Sequence, residues 1–568
     1  MKPVLTLAWM ILKPVKRAVS KPCLTLLGGL SQLRCLLLRL DIPTLTALMP
    51  APPAPLSAAE TKQPTTAPGT ALDVPGFNAR RDDTAHANCR SGYKRKIRSL
   101  TVVKTSVAFG LAVLCYAATA QAEGVRFSTQ PEAVSEIPGG FSCDLAFDLS
   151  GFQGRRTAHA GVMIPLVIKG YPLLHLFAKD ADGSEQFIAA TCPNGGHGAA
   201  IFTLTDFLNG HLPCAKLALH VKEISCAGAA VELKKDRPVS LFVEAEDRPR
   251  YELSEVLLPI WAAQRMVNET ILPVSVGGLP AAGRLLFVPS GNVTVRNYTL
   301  DITYQEAVDY VLDGNLIRLT EKSGIPFVTE EALHPDAPSE YQLAVSYEHD
   351  EPWTGPVPSD GSGKLAGTKK KLKAGQPLKI ALLGDSISFG ANASKSSPPY
   401  LPGWGELLIQ GLRQKYRGRI TFVNPSRGGA NSGWGKTMTP NFIVPEKPDL
   451  FIIAFGMNDA NGTSVEKYIA NIKAMMNLVS ASKADTEFIL VASMLRNETW
   501  RPLTPMNGYL AALKTLETEH VAVADVWSVS EKILKRKRYC DISGPGFANH
   551  PNDFMVRVYA QVAGALLQ

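Results

Sequence analysis

Ser386 stands where an apolar segment ends in a turn, in the sequence KIALLGDSISFG of residues 379–390. The apolar residues Ile380 to Leu383 predict a buried strand that stops at Gly384. In open α/β sheets, ligands bind beyond the carboxyl ends of the strands. A serine there is therefore a candidate nucleophile, if a base and an oxyanion hole accompany it. Gly, Asp and Ser all favour turns, so the motif by itself is equally compatible with a simple turn.

Three further polar blocks follow, each just after a predicted strand or just before the last predicted helix. A strand at Ile420 to Asn424 precedes PSRGGANSGWG, which contains Gly429. The strand in DLFIIAFG precedes MNDANG, which contains Asn458. The sequence FANHPNDF near the C-terminus supplies His550. The chain thus presents a hydroxyl, a glycine backbone, an amide and an imidazole in that order, which are groups that acyl transfer uses.

These ordered blocks resemble those of the SGNH hydrolase superfamily, also called GDSL esterases and lipases, over about residues 377–568. The resemblance implies that Ser386 is the nucleophile and that His550 is the general base. It also implies an oxyanion hole formed by the N–H groups of Ser386 and Gly429 and the side-chain amide of Asn458. The fold that it implies is a flavodoxin-like, doubly wound parallel sheet. No cofactor and no metal are expected, because Ser–His chemistry needs neither.

One position departs from the family pattern. The aspartate that usually stands three residues before the histidine is replaced by Phe547. We predict that Asp541 orients the imidazole instead, because glycines in the intervening loop would let it fold back. Asp553 is predicted to cap the final helix, and a Ser–His dyad oriented by a backbone carbonyl is a further alternative. Asp385 and Asp459 are predicted to brace their loops.

The elements that position these residues are predicted in a catalytic domain of residues 378–568. Predicted strands lie at Lys379–Leu383, Ile420–Asn424, Leu450–Phe455, Glu487–Ser493 and Val521–Val526. Predicted helices lie near Trp404–Tyr416, Ser464–Ser482, Thr504–His520 and Asp553–Leu567. The alternation of strands and helices predicts an α/β fold with a parallel sheet, and it places His550 just before the last helix.

A β-rich accessory region is predicted at residues 123–355, where short apolar runs recur between turn residues. The Asp313-Gly314 pair predicts a hairpin. We interpret the region as one or two sandwich-like units, divided near Asp247, that either bind glycans or shape the rim of the catalytic cleft. Residues 356–377 are rich in Gly, Ser and Lys, which predicts a flexible linker.

Residues 91–122 have the composition of a secretory signal peptide, with an apolar run at Ser106 to Ala118 and small residues before the exit. We expect cleavage near Ala122 and a periplasmic or secreted mature chain without a stable membrane span. Residues 1–90 are interpreted as a disordered extension or an over-extended gene start. An uncleaved anchor at Leu24–Leu40 is the alternative, although two arginines interrupt it.

The cysteines fit export. Cys143 with Cys192, and Cys214 with Cys226, are candidate disulfides, which would leave Cys540 free. Their spacing matches no zinc-ligand pattern.

The composition indicates a globular protein, with 45% hydrophobic and 19% charged residues. The net charge of +8 comes largely from the first hundred residues and from the runs Lys369–Lys373 and Lys532–Arg538. Neither run is interleaved with aromatic residues, so a solvated linker and helix face are predicted and a nucleic-acid partner is not expected.

The substrate is predicted to be an ester of a carbohydrate. Trp404 and Trp434 lie in loops after the first and second strands, and Trp500 follows the fourth, where aromatic rings can stack on sugars or simply fill a cleft wall. A secreted SGNH enzyme with a β domain resembles bacterial acetyl esterases that act on polysaccharides. The alternatives are a lipase, lysophospholipase or arylesterase, and a non-catalytic glycan-binding protein.

Overall fold

The structure is a computed structural model, and the residues that it describes fall in stretches between Val125 and the C-terminus. They are residues 125–137, 140–150, 157–193, 198–211, 215–226, 230–245, 251–333, 341–359, 363–395, 397–498, 506–544 and 549–568. The predicted extension, anchor segment and signal peptide lie outside these residues, as do Trp500 and Phe547. Within the described stretches, every helix is too short or too polar to cross a membrane.

The first described region is built from two antiparallel sheets. Their strands are β1 (Val125–Thr129), β2 (Glu132–Ile137), β3 (Gly140–Asp148), β4 (Thr157–Lys169), β5 (Pro172–Lys179), β6 (Glu185–Thr191), β7 (Ala199–Thr203), β8 (Lys216–Cys226), β9 (Ala230–Leu233) and β10 (Val239–Ala245), with helix α1 (Thr205–Gly210) after β7. One sheet has the order β1-β10-β4-β7 with β9 paired to β4, and the other has the order β2-β3-β8-β5-β6. Phe141, Cys143, Leu145 and Phe147 alternate as buried residues along β3, because successive side chains of a strand point to opposite faces. Both sheets contribute to one apolar core, so the region is a sandwich.

A second β-rich region follows the stretch that contains Asp247, which lies outside the described residues. Its elements are α2 (Leu253–Val256), β11 (Arg265–Ile271), β12 (Val274–Ser275), β13 (Ala282–Arg284), β14 (Val293–Asn297), β15 (Thr303–Tyr304), β16 (Tyr310–Asp313), β17 (Leu316–Leu319), β18 (Val328–Thr329) and β19 (Leu343–Glu348). The sheets have the orders β11-β19-β14-β15 and β16-β17-β13-β12-β18. The predicted Asp313-Gly314 turn joins β16 to β17, with Gly314 at φ +59°.

The C-terminal region is a parallel sheet with helices around it, which confirms the predicted fold class. Its elements are α3 (Ala366–Lys373), β20 (Leu378–Gly384), α4 (Trp404–Tyr416), β21 (Ile420–Val423), α5 (Ser432–Phe442), β22 (Leu450–Ala454), α6 (Val465–Ser482), β23 (Glu487–Ala492), α7 (Tyr509–Lys514), β24 (Val521–Asp525), α8 (Val526–Leu534) and α9 (Asp553–Ala565). The sheet order is β21-β20-β22-β23-β24. The chain therefore continues to one side of β20 and then to the other, which makes the carboxyl end of β20 a topological switch point.

The segment predicted as a flexible linker differs from that expectation, because it contains α3. The N–H groups of Gly367 and Thr368 donate to the Glu487 carboxylate at 2.9 and 2.7 Å, and Lys371 pairs with Asp449 at 2.7 Å. These partners lie 78 or more residues away in sequence. Composition alone could not reveal such an anchor.

The basic run at Lys532–Arg538 was predicted to be a solvated helix face, and the structure contradicts this for two residues. Lys537 is buried and pairs with the buried carboxylate of Glu269 on β11, while Arg538 pairs with Asp541. The second β-rich region and the C-terminal region thus share the buried Lys537–Glu269 ion pair as well as one apolar core.

Two sequence expectations about cysteines have different outcomes. Cys143 and Cys192 are unpaired, as is Cys540. The Cys143–Cys192 disulfide is therefore wrong, because Cys143 points into the sandwich core while the Cys192 thiol lies near the Arg427 guanidinium. Cys214 lies outside the described residues, so its pairing with Cys226 stays a prediction.

Candidate active site

Ser386 lies in a tight turn at the carboxyl end of β20. The turn is held by Asp385, whose Oδ1 accepts a hydrogen bond from the Ile387 N–H at 2.9 Å. Gly384 allows the turn to close, since a Cβ there would overlap the Ala454 carbonyl oxygen and the Ser388 hydroxyl. Ser386 is 9% exposed. The serine is therefore largely enclosed by the surrounding residues.

His550 brings its imidazole to that hydroxyl, with Nε2 2.7 Å from Ser386 Oγ. Its loop is shaped by local contacts: the His550 carbonyl accepts from the Gly544 N–H at 2.8 Å, and Asn549, at φ +48°, accepts from the Asn497 N–H at 2.9 Å. Burial lowers the pKa of His550 from its ordinary value of 6.5. The imidazole is therefore neutral near pH 7 and can accept the serine proton.

The loop that contains Gly429 adjoins Ser386 and is hydrogen-bonded to Asn458. A Cβ on Gly428 would come within 4.0 Å of Ser386 Cβ, so the turn at Gly428 borders the Ser386 side chain. Gly429 has φ +75°, and its Cβ position faces open space. Asn458 Nδ2 donates to the Ala430 carbonyl at 2.9 Å, which leaves its second amide hydrogen for another acceptor. Gly428 thus borders Ser386, and Asn458 is hydrogen-bonded to the loop that contains Gly429; the oxyanion hole that these residues would form stays a prediction.

Asp385 and Asp459 support these loops, as predicted. Asp459 accepts from the Ser432 N–H at 3.1 and 2.9 Å and from the Ser432 hydroxyl at 2.5 Å. These bonds join the loop after β21 to the loop after β22. Burial, opposed by hydrogen bonds from the turn and assisted by the nearby charge of Asp459, raises the pKa of Asp385 to about 7.

Asp541 does not reach His550, which differs from the sequence expectation. Its buried carboxylate accepts from Arg538 through the backbone N–H at 3.1 Å, Nε at 3.0 Å and Nη2 at 3.2 Å, and from the Leu272 N–H at 3.0 Å. Among the described residues, Ser386 is the hydrogen-bond partner of the His550 ring. Asp541 instead ties the turn before His550 to the end of β11.

Asp553 also has another role than the one expected. The residue that caps α9 is Asn552, whose side chain accepts from the Met555 N–H. The buried Asp553 carboxylate accepts from the Ser394 N–H at 2.9 Å and from its hydroxyl at 2.7 Å. Burial raises the pKa of Asp553 to about 6 against the effect of these hydrogen bonds.

The two tryptophans proposed to bind substrate are packed against protein. Trp404 is 0% exposed and lies beside Tyr559 of α9, so it is a core residue and the expectation is wrong. Trp434 is half-buried against Tyr171 and Phe442. The exposed aromatic residue near the nucleophile is Phe389, at 44% exposure, three residues after Ser386. Its position within the GDSISFG motif was the sequence signal that could have identified it as a residue near the nucleophile.

No group of three or more His, Cys, Asp or Glu side chains within the described stretches is arranged to hold a metal ion.

Comparison with known proteins agrees with this geometry. Residues 382–557 match the family described as GDSL-like Lipase/Acylhydrolase. This part of the chain is therefore a GDSL-like lipase/acylhydrolase domain, the class to which the fold and the site also point. The domain is that of a carboxylic ester hydrolase. No curated protein sequence matches the chain.

Solved structures with similarity to the chain include three esterases or lipases. A two-domain esterase active on acetylated mannans has 22% identity and a TM-score of 0.30, over 36% of this chain and 52% of that one. The chain thus spans about half the length of that esterase. A lipase/acylhydrolase from Enterococcus faecalis has 19% identity and a TM-score of 0.28, over 33% and 93%. The acetylxylan esterase Axe2 from Geobacillus stearothermophilus has 19% identity and a TM-score of 0.28, over 33% and 94%.

Proposed function

We propose that this protein is an exported serine esterase that removes O-acetyl groups from carbohydrate. The observation that carries the proposal is the 2.7 Å contact between Ser386 Oγ and His550 Nε2, beside the Gly428–Gly429 turn and Asn458. A hydroxyl on a neutral base, next to convergent N–H donors, is the arrangement that acyl transfer needs.

The reaction follows from these groups. Ser386 Oγ attacks the ester carbonyl carbon as its proton passes to His550 Nε2. The resulting oxyanion accepts hydrogen bonds from the N–H groups of Ser386 and Gly429 and from Asn458 Nδ2, each of which is worth about 3 kcal/mol at such a site. His550 then donates its proton to the leaving alcohol oxygen. Water, deprotonated by His550, hydrolyses the acyl-enzyme and restores the serine.

A dyad rather than a triad is part of the proposal. The Asp541 carboxylate accepts hydrogen bonds from Arg538, and the Asp553 carboxylate accepts them from Ser394. Neither makes a hydrogen bond to His550 among the described residues. The ring is oriented by its loop, which Asn549 fastens to the Asn497 backbone.

A polar rim supports a hydroxyl-rich alcohol. Asn458 is bonded to the loop beside Ser386, Asn549 directly precedes His550, and Asn392 packs where a Cβ on Gly544 would lie. Amide side chains of this kind suit sugar hydroxyls. Phe389 adds an exposed aromatic surface, with the Lys395 ammonium 4.0 Å from its ring centroid. An aromatic ring can stack on the apolar face of a sugar.

The test is hydrolysis of p-nitrophenyl esters of increasing acyl length by residues 123–568, with acetylated mannan and xylan as a second panel. We expect turnover of acetyl esters and release of acetate from the polysaccharides. Ser386→Ala should abolish both activities, whereas Ser388→Ala, which removes a hydroxyl from the same turn, should retain them. A preference above tenfold for long acyl chains would favour a lipase, and an inert wild-type protein would favour the non-catalytic alternative.

A further inference from the structure

The β-sandwich of residues 125–245 contacts the loop that carries the candidate oxyanion-hole glycine. We propose that this domain completes the catalytic site, with Tyr171 as a positioning residue that holds Arg427 and thereby the turn at residues 427–430. This inference rests on the proposed esterase function and assigns part of that same site to a separate domain.

The turn depends on support from outside. Its backbone is closed by the Ala430 N–H, which donates to the Arg427 carbonyl at 3.2 Å, and it is fastened to β20 by the Arg427 N–H, which donates to the Gly384 carbonyl at 3.1 Å. The two central residues, Gly428 and Gly429, are both exposed. Because glycine has the widest choice of backbone conformations, these two residues do not fix the direction of the Gly429 N–H by themselves.

The Arg427 side chain leaves this turn and packs on two aromatic rings. Its Cζ lies 3.9 Å from the centroid of Tyr171 and 5.9 Å from that of Trp434, and the two rings meet edge to face at 6.5 Å. In the described part of the chain, Arg427 has no carboxylate partner. The aromatic contacts are therefore what restrains the guanidinium, and a cation–π contact of this kind is worth about 0.5–2 kcal/mol.

Tyr171 is itself held firmly. It follows Gly170, at φ +72°, in the turn between β4 and β5. On β5, the buried His175 ring lies 3.0 Å from the buried Glu446 carboxylate, which also binds Lys379 of β20 at 3.1 Å. The hairpin is thus fixed to β20, the strand that leads into the Ser386 turn. Tyr171 can transmit that rigidity to Arg427.

The consequence concerns the rate of the chemical step more than substrate binding. The Gly429 N–H must point to the position where the oxyanion forms, and donors act there because they are preorganised. If the turn adopted several conformations, the Gly429 N–H would point to the oxyanion only part of the time. Part of the stabilisation of the transition state, where the negative charge is largest, would then be lost. Loss of the Tyr171 contact should therefore lower kcat and leave KM nearly unchanged.

The experiment measures kcat and KM for p-nitrophenyl acetate, a small substrate that a glycan-binding surface would not influence. We expect Tyr171→Ala and the bulkier Tyr171→Leu to lower kcat about tenfold, or about 1.4 kcal/mol. The fraction of enzyme molecules whose Ser386 reacts with a covalent serine inhibitor should not change. Tyr171→Phe, which keeps the ring, should stay within about twofold of wild type. Asp206→Ala is the matched control, because it removes another contact between the same domains, to Gln410 of α4, and should leave kcat unchanged.

A double-mutant cycle decides whether the effect passes through the arginine. If Tyr171 acts on Arg427, then Tyr171→Ala combined with Arg427→Ala should be no slower than the slower single variant. Effects that multiply, or a Tyr171→Leu variant with normal kcat, would overturn the inference. A wild-type protein without Ser386-dependent activity would overturn the proposed function instead, so the two failures are distinguishable.

Discussion

Replacing Asp541 by asparagine should weaken the fold and spare catalysis. The carboxylate is fully buried and accepts its hydrogen bonds from Arg538 and Leu272. Removing one partner of a buried ion pair costs about 3–5 kcal/mol. Because 25% of the Arg538 side chain is exposed to solvent, we expect a smaller loss of about 2–3 kcal/mol in the free energy of unfolding.

That loss should lower the unfolding temperature of the domain by about 4–12 °C. Well below that temperature, kcat for p-nitrophenyl acetate should stay within about threefold of wild type. By contrast, disturbing the aspartate of a full triad lowers turnover by about 10⁴. The two roles of Asp541 therefore differ by more than three orders of magnitude in one assay.

Asp449→Asn is the matched control for this prediction. Asp449 pairs with Lys371 and Lys483 before β22, at the opposite end of the sheet from Ser386. Its loss should likewise lower stability without changing kcat. If Asp541→Asn lost more than 10³ in kcat with an unchanged unfolding temperature, Asp541 would be the orienting acid and the dyad would be refuted.

Further predictions concern the oxyanion hole, the base and the N-terminus. Asn458→Ala should lower kcat about 10²–10³-fold with little change in KM, because the lost donor acts on the developing oxyanion; steady-state kinetics checks this, and a purely KM effect would contradict it. Because burial lowers the pKa of His550 and its neutral form is the base, kcat/KM should be retained at neutral pH and fall only below pH 6.5, so an acid limb above that value would count against this assignment. We also propose that the mature chain begins at Glu123, which N-terminal sequencing of protein from the native host would test; a chain that retains residues 1–90 would contradict it.

Local patterns predicted the catalytic domain well. Strand Ile420–Val423, helix Trp404–Tyr416 and the start of α6 after Ser464 lie within a residue of their predicted bounds. Apolar runs and cap residues act over a few positions, so they can be read along the chain. Helix α5 was missed, since its sequence SGWGKTMTPNF holds two glycines and a proline and owes its formation to packing.

Residue type and chain order predicted which groups meet at Ser386, since parallel strands end at one edge of the sheet and carry their loops there. Whether a given side chain faces that edge was decided by contacts between distant segments. Trp404 faces Tyr559 rather than the cleft, and Asp541 faces Arg538 and the second β-rich region rather than His550. Burial of an aromatic ring or a charge depends on which surfaces pack together, and the partners Tyr559 of Trp404 and Leu272 of Asp541 are far from them in sequence. The contact between Tyr171 and Arg427 was likewise decided by tertiary packing, because the two residues are far apart in the sequence.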